Sequence, residues 1–194
     1  MKQIYCAGFT MLEMMIVLII IGALLGVGVP AFNEALERRR IDGIVDELQA
    51  QIALAKSEAI KRNVEVSVAF TRTGDATWCM GIDEDDTAGC NCTTANDCTV
   101  DGLEKVLSIT SADRLDLPAA PEFNGGIGDG GDNGFVFDPA TGALTDLNDN
   151  GNVEIETEEG NFRLRMTVSP LGLTSVCYLD TYKPVGGYDQ CPSP

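Results

Sequence analysis

The 194-residue sequence contains no histidine, so it lacks the side chain that most often serves as a general base. It also lacks the G-x-S-x-G pattern of hydrolases, the G-x-x-x-x-G-K-S/T phosphate loop and the dinucleotide-binding glycine pattern. Carboxylates are plentiful, but they fall in predicted loops, and no spacing nominates an acid/base pair. The sequence therefore predicts that the chain is not an enzyme.

Positive charge is scarce. Thirteen lysines and arginines stand against 30 aspartates and glutamates, which gives a formal net charge of −17. A surface of this sign repels nucleic acid and anionic lipid head groups. Non-specific nucleic-acid binding depends on lysine and arginine contacts to phosphates, so we expect no nucleic-acid partner.

Charge is almost absent from one stretch near the amino terminus. Between Phe9 and Val29, Glu13 is the single charged residue. A run of about 20 such residues can cross a bilayer as a helix, and an acid at its centre costs roughly 2.5 to 3.5 kcal/mol. An ordinary secretory signal would place its cleavage site after the apolar run. The sequence predicts a transmembrane helix at residues 9–30 that stays in the mature protein, with Glu13 in need of a partner.

The residues around Glu13 read Gly8-Phe9-Thr10-Met11-Leu12-Glu13. This stretch resembles the signal sequence of type IV pilins and type II secretion pseudopilins. The resemblance implies that a prepilin peptidase removes residues 1–8 by cutting between Gly8 and Phe9, and that Phe9 is then methylated. It also implies that Glu13 offsets the amino-terminal charge of the neighbouring subunit in a filament. The implied partners are other pilins or pseudopilins, the peptidase and an inner-membrane assembly platform.

The apolar run also contains Gly22, Gly26, Gly28 and Pro30. Proline removes a backbone hydrogen bond within a helix, and glycine lowers helix stability by about 1 kcal/mol relative to alanine. We therefore expect this segment to kink or unwind locally. The family resemblance assigns the boundaries of a stretch that melts in assembled filaments to Gly22 and Pro30.

Apolar residues recur at helical spacing after Pro30, which predicts an amphipathic helix over residues 31–63 with one buried stripe. The two helical halves form one helix of roughly 50 residues. The stripe contains Ile41, Ile44, Val45, Leu48, Ile52, Ala55 and Ala59. The rest of the chain, residues 64–194, is predicted to be a β-rich domain with short strands at residues 64–70, 77–81, 105–110, 134–137, 153–157, 162–169 and 175–179.

Three further stretches indicate which members of the family the chain resembles. Residues 55–63 resemble the A-R/K-S-E-A-I-K-R-N segment of H-type pseudopilins and of fimbrial T- and U-type minor pilins. Residues 137–142 resemble the F-x-P-x-G turn of the family with one extra residue, and residues 168–172 resemble its closing strand pair. The resemblance implies an α+β, pilin-like fold in which a long amino-terminal helix packs on an antiparallel sheet domain.

The same resemblance implies a structural role as a minor subunit, at the tip or as a primer, of a type IV pilus. It places the chain in the bacterial inner membrane as a single-pass protein with a periplasmic domain, from which it enters a filament. Three alternatives stay open. The chain could be the H-type pseudopilin of a type II secretion system, a DNA-capturing minor pilin, or a membrane-anchored binding module that does not polymerise.

Seven cysteines are present, and six remain after Cys6 leaves with the leader. An even number beyond a membrane anchor predicts disulfides in an oxidising compartment, and the lack of histidine and of paired C-x-x-C motifs disfavours zinc. We expect Cys177 to pair with Cys191. In the cluster, Cys79 is expected to pair with Cys90 or Cys92, and Cys98 with the other.

One loop has the spacing of a calcium site. Asp146, Asn148, Asn150 and Glu154 occupy positions 1, 3, 5 and 9 of an EF-hand-like loop, with a glycine at position 6. Position 12 is Thr157, where a bidentate glutamate belongs. Calcium is therefore a candidate ligand, and an Asn/Asp-rich hairpin turn is the alternative. No other cofactor is expected.

Overall fold

A single long helix, α1, begins at Met11 and ends at Arg62 in the computed structural model of the chain. The structure describes residues 9–74, 77–84, 89–119, 121–123, 133–145 and 151–192. The chain divides into two units, Met1–Glu37 and Arg38–Pro194, and each is described by itself.

The backbone of α1 is helical through Gly22 and Pro30, so the local unwinding expected there is not observed. A proline deletes one hydrogen bond of the helical ladder, whereas the bonds in the turns before and after it are retained. Within the described residues, α1 is the one helix long and apolar enough to cross a membrane.

The carboxyl end of α1 coincides with the predicted end. Asn63 follows Arg62 with a φ of 57°, in the left-handed region that commonly terminates helices. Asparagine enters this region more readily than most side chains, so the last residue of the 55–63 motif explains where the helix stops.

Strands occupy about half of the remaining described chain. The seven strands predicted from the sequence all overlap observed strands, and the five unpredicted strands have two residues each. The strands are β1 Val66–Gly74, β2 Thr77–Glu84, β3 Thr99–Val100, β4 Leu103–Glu104, β5 Val106–Ile109, β6 Leu115–Asp116, β7 Glu122–Phe123, β8 Asn133–Phe137, β9 Gly151–Thr157, β10 Arg163–Val168, β11 Thr174–Tyr178 and β12 Asp189–Gln190.

The strands form two main sheets and a small hairpin. The first sheet has the antiparallel order β5-β2-β1-β8, with Val68 of β1 opposite Ile82 of β2 and Phe135 of β8. The second has the order β12-β11-β10-β9-β6, and β7 also pairs with β9. Its pairs are antiparallel except for β11 and β12, which run parallel. The third is the β3-β4 hairpin.

The apolar stripe of α1 forms one side of the core, as its spacing predicted. Ile41, Val45 and Leu48 have no exposed surface, and Trp78 of β2 is 1% exposed. These side chains belong to one cluster that also includes residues from both main sheets. Each fully buried side chain of this size contributes about 1.5 to 3 kcal/mol to folding. The α+β fold expected from the sequence is confirmed.

A second, smaller cluster contains Ala69 of β1, Cys79 of β2 and the three cysteines of the loop after β2. The disulfides are Cys79–Cys92, Cys90–Cys98 and, near the carboxyl terminus, Cys177–Cys191. In the cysteine cluster this is one of the two pairings that the spacing left open. The disulfides thus cross-link a polar loop that has too few apolar residues to build a core of its own.

Candidate assembly site

The amino-terminal helix starts with a cap formed by residues of the signal motif. Oγ1 of Thr10 accepts a hydrogen bond from the backbone N–H of Glu13 at 3.2 Å, and the Thr10 carbonyl accepts one from Met14. An N-cap threonine satisfies one of the free N–H groups of a helix start, and an acidic residue in the first turn is favourable beside the helix dipole. Thr10 and Glu13 have capping-box spacing, which marks a helix start in the sequence itself.

The described residues around the candidate assembly positions lie in an exposed part of α1. Phe9 is 72% exposed, and a Cβ added to Gly22 would have no atom within 4 Å. The backbone at Pro30 is helical, and Glu13 is exposed. Gly8, the residue before the expected cleavage site, lies outside the described residues. Within the first unit, the structure leaves this apolar helix surface without a covering element.

The 55–63 motif has a structural explanation at nearly every position. Ala55 and Ala59 are completely buried, in the same cluster as the strands. Nζ of Lys56 donates a hydrogen bond of 2.9 Å to the carbonyl of Leu171, in the turn between β10 and β11. This segment therefore joins the end of the helix to the second sheet.

The other two family-like stretches pack through glycines, Gly142 against the same part of the helix and Gly172 against the 137–142 stretch. Gly142 and Gly172 both have a φ of 66°. A Cβ on Gly142 would lie 2.7 Å from Cδ1 of Ile60, and a Cβ on Gly172 would lie 2.6 Å from the Phe137 ring. The three stretches that carry the resemblance are thus in contact with one another, because each supplies a surface that the others require.

The turn at residues 138–142 is held by a carboxylate. Oδ1 of Asp138 accepts hydrogen bonds from the hydroxyl of Thr141 and from the backbone N–H groups of Thr141 and Ala140, at 2.8 to 3.1 Å. The hydroxyl bond of Thr141 is the main reason that the pKa of Asp138 lies below its ordinary value. The ionised form of Asp138 therefore fixes the turn that presents Gly142 to the helix.

Arg62 connects the helix end to the β3–β4 hairpin. Its guanidinium lies 2.5 Å from Glu58, 3.3 Å from Glu84 and 3.2 Å from Asp101. Hydrogen bonds from Arg62 hold the pKa values of Glu58 and Asp101 below their ordinary range, and the pKa of Arg62 is raised in turn. Glu84 also accepts a hydrogen bond from the backbone N–H of Asp101 at 2.9 Å.

The candidate calcium loop is described in part. Asp146, Asn148 and Asn150 lie outside the described residues. Glu154 forms ion pairs with Arg165 at 2.6 Å and Arg163 at 3.2 Å, across the β9–β10 pair.

A calcium ion at Glu154 would have to compete with these two guanidinium groups. Thr157, at the position of the missing glutamate, is 2% exposed, and its Oγ1 accepts a hydrogen bond from the N–H of Phe162. No group of three or more histidine, cysteine, aspartate or glutamate side chains that could hold a metal occurs within the described ranges.

An exposed apolar helix with a threonine cap and an internal acid, continued by a helical half that packs on antiparallel strands, defines a pilin-like protein. Comparison with known proteins agrees with this class. The prokaryotic N-terminal methylation motif matches residues 5–29. The model of the family described as type II transport protein GspH matches residues 45–172, more than half of the chain. The chain belongs to this family, whose members are pilin or pseudopilin subunits.

No curated protein and no solved structure shows a significant match to the chain. The 45–172 match contains the whole 55–63 motif, the turn at residues 137–142 and Gly172. The family match therefore coincides with the three stretches that the structure brings into contact.

Proposed function

We propose that this chain is a non-enzymatic, minor structural subunit, at the tip or as a primer, of a filament assembled through its amino-terminal helix. One observation carries the proposal. Residues 11–25 of α1 keep apolar side chains exposed, among them Leu18 at 66% and Ile19 at 71%, with Glu13 as the internal charge. Such a surface requires lipid before assembly and neighbouring helices after it.

The expected sequence of events begins in the bacterial inner membrane, with residues from about 38 onward on the periplasmic side. A prepilin peptidase cuts between Gly8 and Phe9 and methylates Phe9, and an assembly platform then extracts the subunit. Desolvating the Glu13 carboxylate is costly unless a cation lies beside it. The amino terminus of an adjacent subunit would supply that cation, which selects filament packing over packing in lipid.

Two filament types are candidates. The first is a type IV pilus, and because residues 55–63 resemble its minor pilins as well as H-type pseudopilins, this segment favours a minor subunit of either filament. The description of the matching family supports the second candidate, the pseudopilus of a type II secretion system. Recovering the protein in sheared surface filaments would favour the pilus, whereas loss of protein secretion in a deletion strain with normal pili would favour the pseudopilus.

The processing step is tested by mass spectrometry of the membrane form from peptidase-containing cells. The mature chain should begin at Phe9 with one added methyl group, and a bulky replacement of Gly8 should leave the precursor uncut. An intact Met1 terminus in such cells would refute the assignment.

The assembly step is tested with Glu13→Val, and with Glu13→Gln as the variant that keeps the shape and removes the charge. Both variants should insert in the membrane at least as well as the wild type, and both should be depleted from filaments. Glu34→Val, in the same helix beyond the apolar run, is the control and should assemble. Unchanged incorporation of both Glu13 variants would remove the role proposed for this carboxylate.

A further inference from the structure

A cleft of about 360 Å³ lies beside α1 within the unit that begins at Arg38. Arg39, Arg40, Gly43 and Glu47 line it from the helix, and the turn Ser111–Asp113 and Leu115 form the opposite side. The helix residues recur at intervals of three and four, so they share one face.

The charges that the helix contributes to the cleft have no partner within the described part of the chain. The side chains of Arg39, Arg40 and Glu47 have no ion pair or hydrogen bond there. Arg40 and Glu47 are seven residues apart, about two helical turns, which is too far for the usual pairing along a helix. Asp113 uses Oδ2 to accept hydrogen bonds from Thr110, which leaves Oδ1 for another donor.

Gly43 opens the cleft between these charges. A Cβ added there would have no atom within 4 Å. Glycine within a helix costs about 1 kcal/mol relative to alanine, and here it removes a side chain that would otherwise project between the arginines and the glutamate. The result is a recess lined by two cations and two carboxylates, with Arg39, Arg40 and Glu47 on the helix and Asp113 on the facing turn.

We propose that this cleft binds a zwitterionic phosphoethanolamine group, with its phosphate at Arg39 and Arg40 and its ammonium at Glu47 and Asp113. Guanidinium groups bind phosphate oxygens in bidentate fashion, and carboxylates accept the three hydrogens of an ammonium group. A purely anionic ligand would leave the two carboxylates uncompensated and would approach a chain of net charge −17.

The source that the sequence favours is a membrane phospholipid, an inference that rests on the membrane anchorage in the proposed function. The uncharged part of the helix ends at Asn33, because Glu34 is the next charged residue after Glu13. Arg39 follows Glu34 by five residues, about 7.5 Å of helix, and head-group layers extend roughly 5 to 8 Å beyond the hydrocarbon. Arginine side chains also extend toward the interface. A bound head group would hold the stored subunit at the membrane surface until it is extracted.

The test is native mass spectrometry of the full-length chain in detergent micelles, with one added lipid at a time. Phosphatidylethanolamine should be retained about tenfold better than phosphatidylglycerol or phosphatidylcholine. Phosphatidylglycerol lacks the ammonium group, and the quaternary ammonium of phosphatidylcholine has no hydrogen-bond donors. Free phosphoethanolamine, which has the same charged groups without the lipid tails, is tested in parallel as a soluble ligand. Retention of that compound with no preference for the lipid would assign the cleft to a soluble ligand and overturn the membrane source.

Two variants locate the binding. Gly43→Leu should fill the cleft while raising helix propensity, so the melting temperature should be kept and phosphatidylethanolamine retention should fall about tenfold. Arg39→Gln with Arg40→Gln should cause a similar loss, whereas Lys105→Gln with Lys183→Gln, which removes the same charge elsewhere, should not.

Unchanged lipid retention by Gly43→Leu would overturn the proposal. Normal lipid retention by this variant combined with failure to enter filaments would assign the cleft to a neighbouring subunit instead. The lipid measurement needs neither peptidase nor filament, so its outcome is separable from that of the Glu13 variants.

Discussion

The Cys90–Cys98 disulfide packs directly on Gly81, so a Cβ atom at Gly81 would lie 2.8 Å from Sγ of Cys90. The same atom would collide with Sγ of Cys98. Gly81 lies in β2 between Met80 and Ile82, which are both buried in the main core. The strand therefore has little freedom to move away from the disulfide.

We expect Gly81→Ala to destabilise the fold by about 1 to 3 kcal/mol through overpacking, or to prevent the Cys90–Cys98 bond from closing. Gly74→Ala is the matched control, because a Cβ there has no atom within 4 Å. Thermal unfolding of the full-length chain measures the loss of stability. Titration of free thiols after denaturation without a reductant shows whether the disulfide has closed. Equal stability of the two variants, with no free thiols in either, would contradict the packing argument.

The two glycines of the family-like turns should differ in their tolerance of a side chain. A Cβ on Gly172 meets the carbonyl oxygen of Gly142 at 3.0 Å, whereas a Cβ on Gly142 meets the flexible ends of Ile60 and Lys56. Backbone atoms move less readily than side-chain ends, so we expect Gly172→Ala to cost about 3 kcal/mol and Gly142→Ala less.

Gly102→Ala separates strain from crowding in that series. Gly102 has a φ of 68°, close to those of the other two glycines, but no atom lies near its Cβ position. The free energy of unfolding of Gly102→Ala should therefore fall by about 1 to 2 kcal/mol, because of the left-handed conformation alone. Denaturant unfolding should show the largest loss of unfolding free energy for the Gly172 variant, a smaller loss for Gly142 and the smallest for Gly102. A largest loss at Gly102 would contradict the argument that crowding at Gly172 and Gly142 adds to the strain.

The Arg62 cluster predicts a dependence of stability on acid. The pKa values of Glu58 and Asp101 are lowered by Arg62 in the folded protein. Their ionised forms thus favour folding above the unfolded pKa values near 4, and this contribution is lost as the pH falls through the lower folded values. We expect Arg62→Gln to be less stable than the wild type at neutral pH, with a difference that shrinks as the pH falls below about 4. A stability difference that stays constant from pH 7 to pH 3 would refute this linkage.

DNA binding by the sheet domain is not expected. Arg163 and Arg165 are engaged with Glu154 and Glu156, at 2.6 to 3.4 Å, and the turn at residues 172–175 has no cation. A mobility-shift titration at about 50 mM salt, where electrostatic binding is strongest, should show no complex. Micromolar retention that Arg163→Ala or Arg165→Ala weakens would revive the DNA-capturing alternative.

Regular periodicity explains what could be predicted from the sequence. The stripe from Ile41 to Ala59 identified the buried face of the helix, because its spacing depends on local geometry alone. The family resemblance supplied the fold, and Asn63 marks the helix end that the motif placed there.

The features that escaped prediction depend on tertiary contacts. The two-residue strands carry no periodic signal, and the choice between Cys90 and Cys92 as the partner of Cys79 is set by how the loop folds over β2. Gly81 looks like any strand glycine until that loop is in place. The continuous helix through Pro30 shows the reverse case, in which the surrounding turns outweigh a local helix breaker.

Trp78 is the chain's single tryptophan, and its position in the core that α1 and the sheets share gives the protein a built-in optical reporter. With 1% of its surface exposed, its indole is shielded from water in the native state and hydrated once the core opens. Emission wavelength and quenching therefore follow separation of the helix from the strands without any attached label. Loosening of the core in the isolated subunit can thus be followed by fluorescence alone.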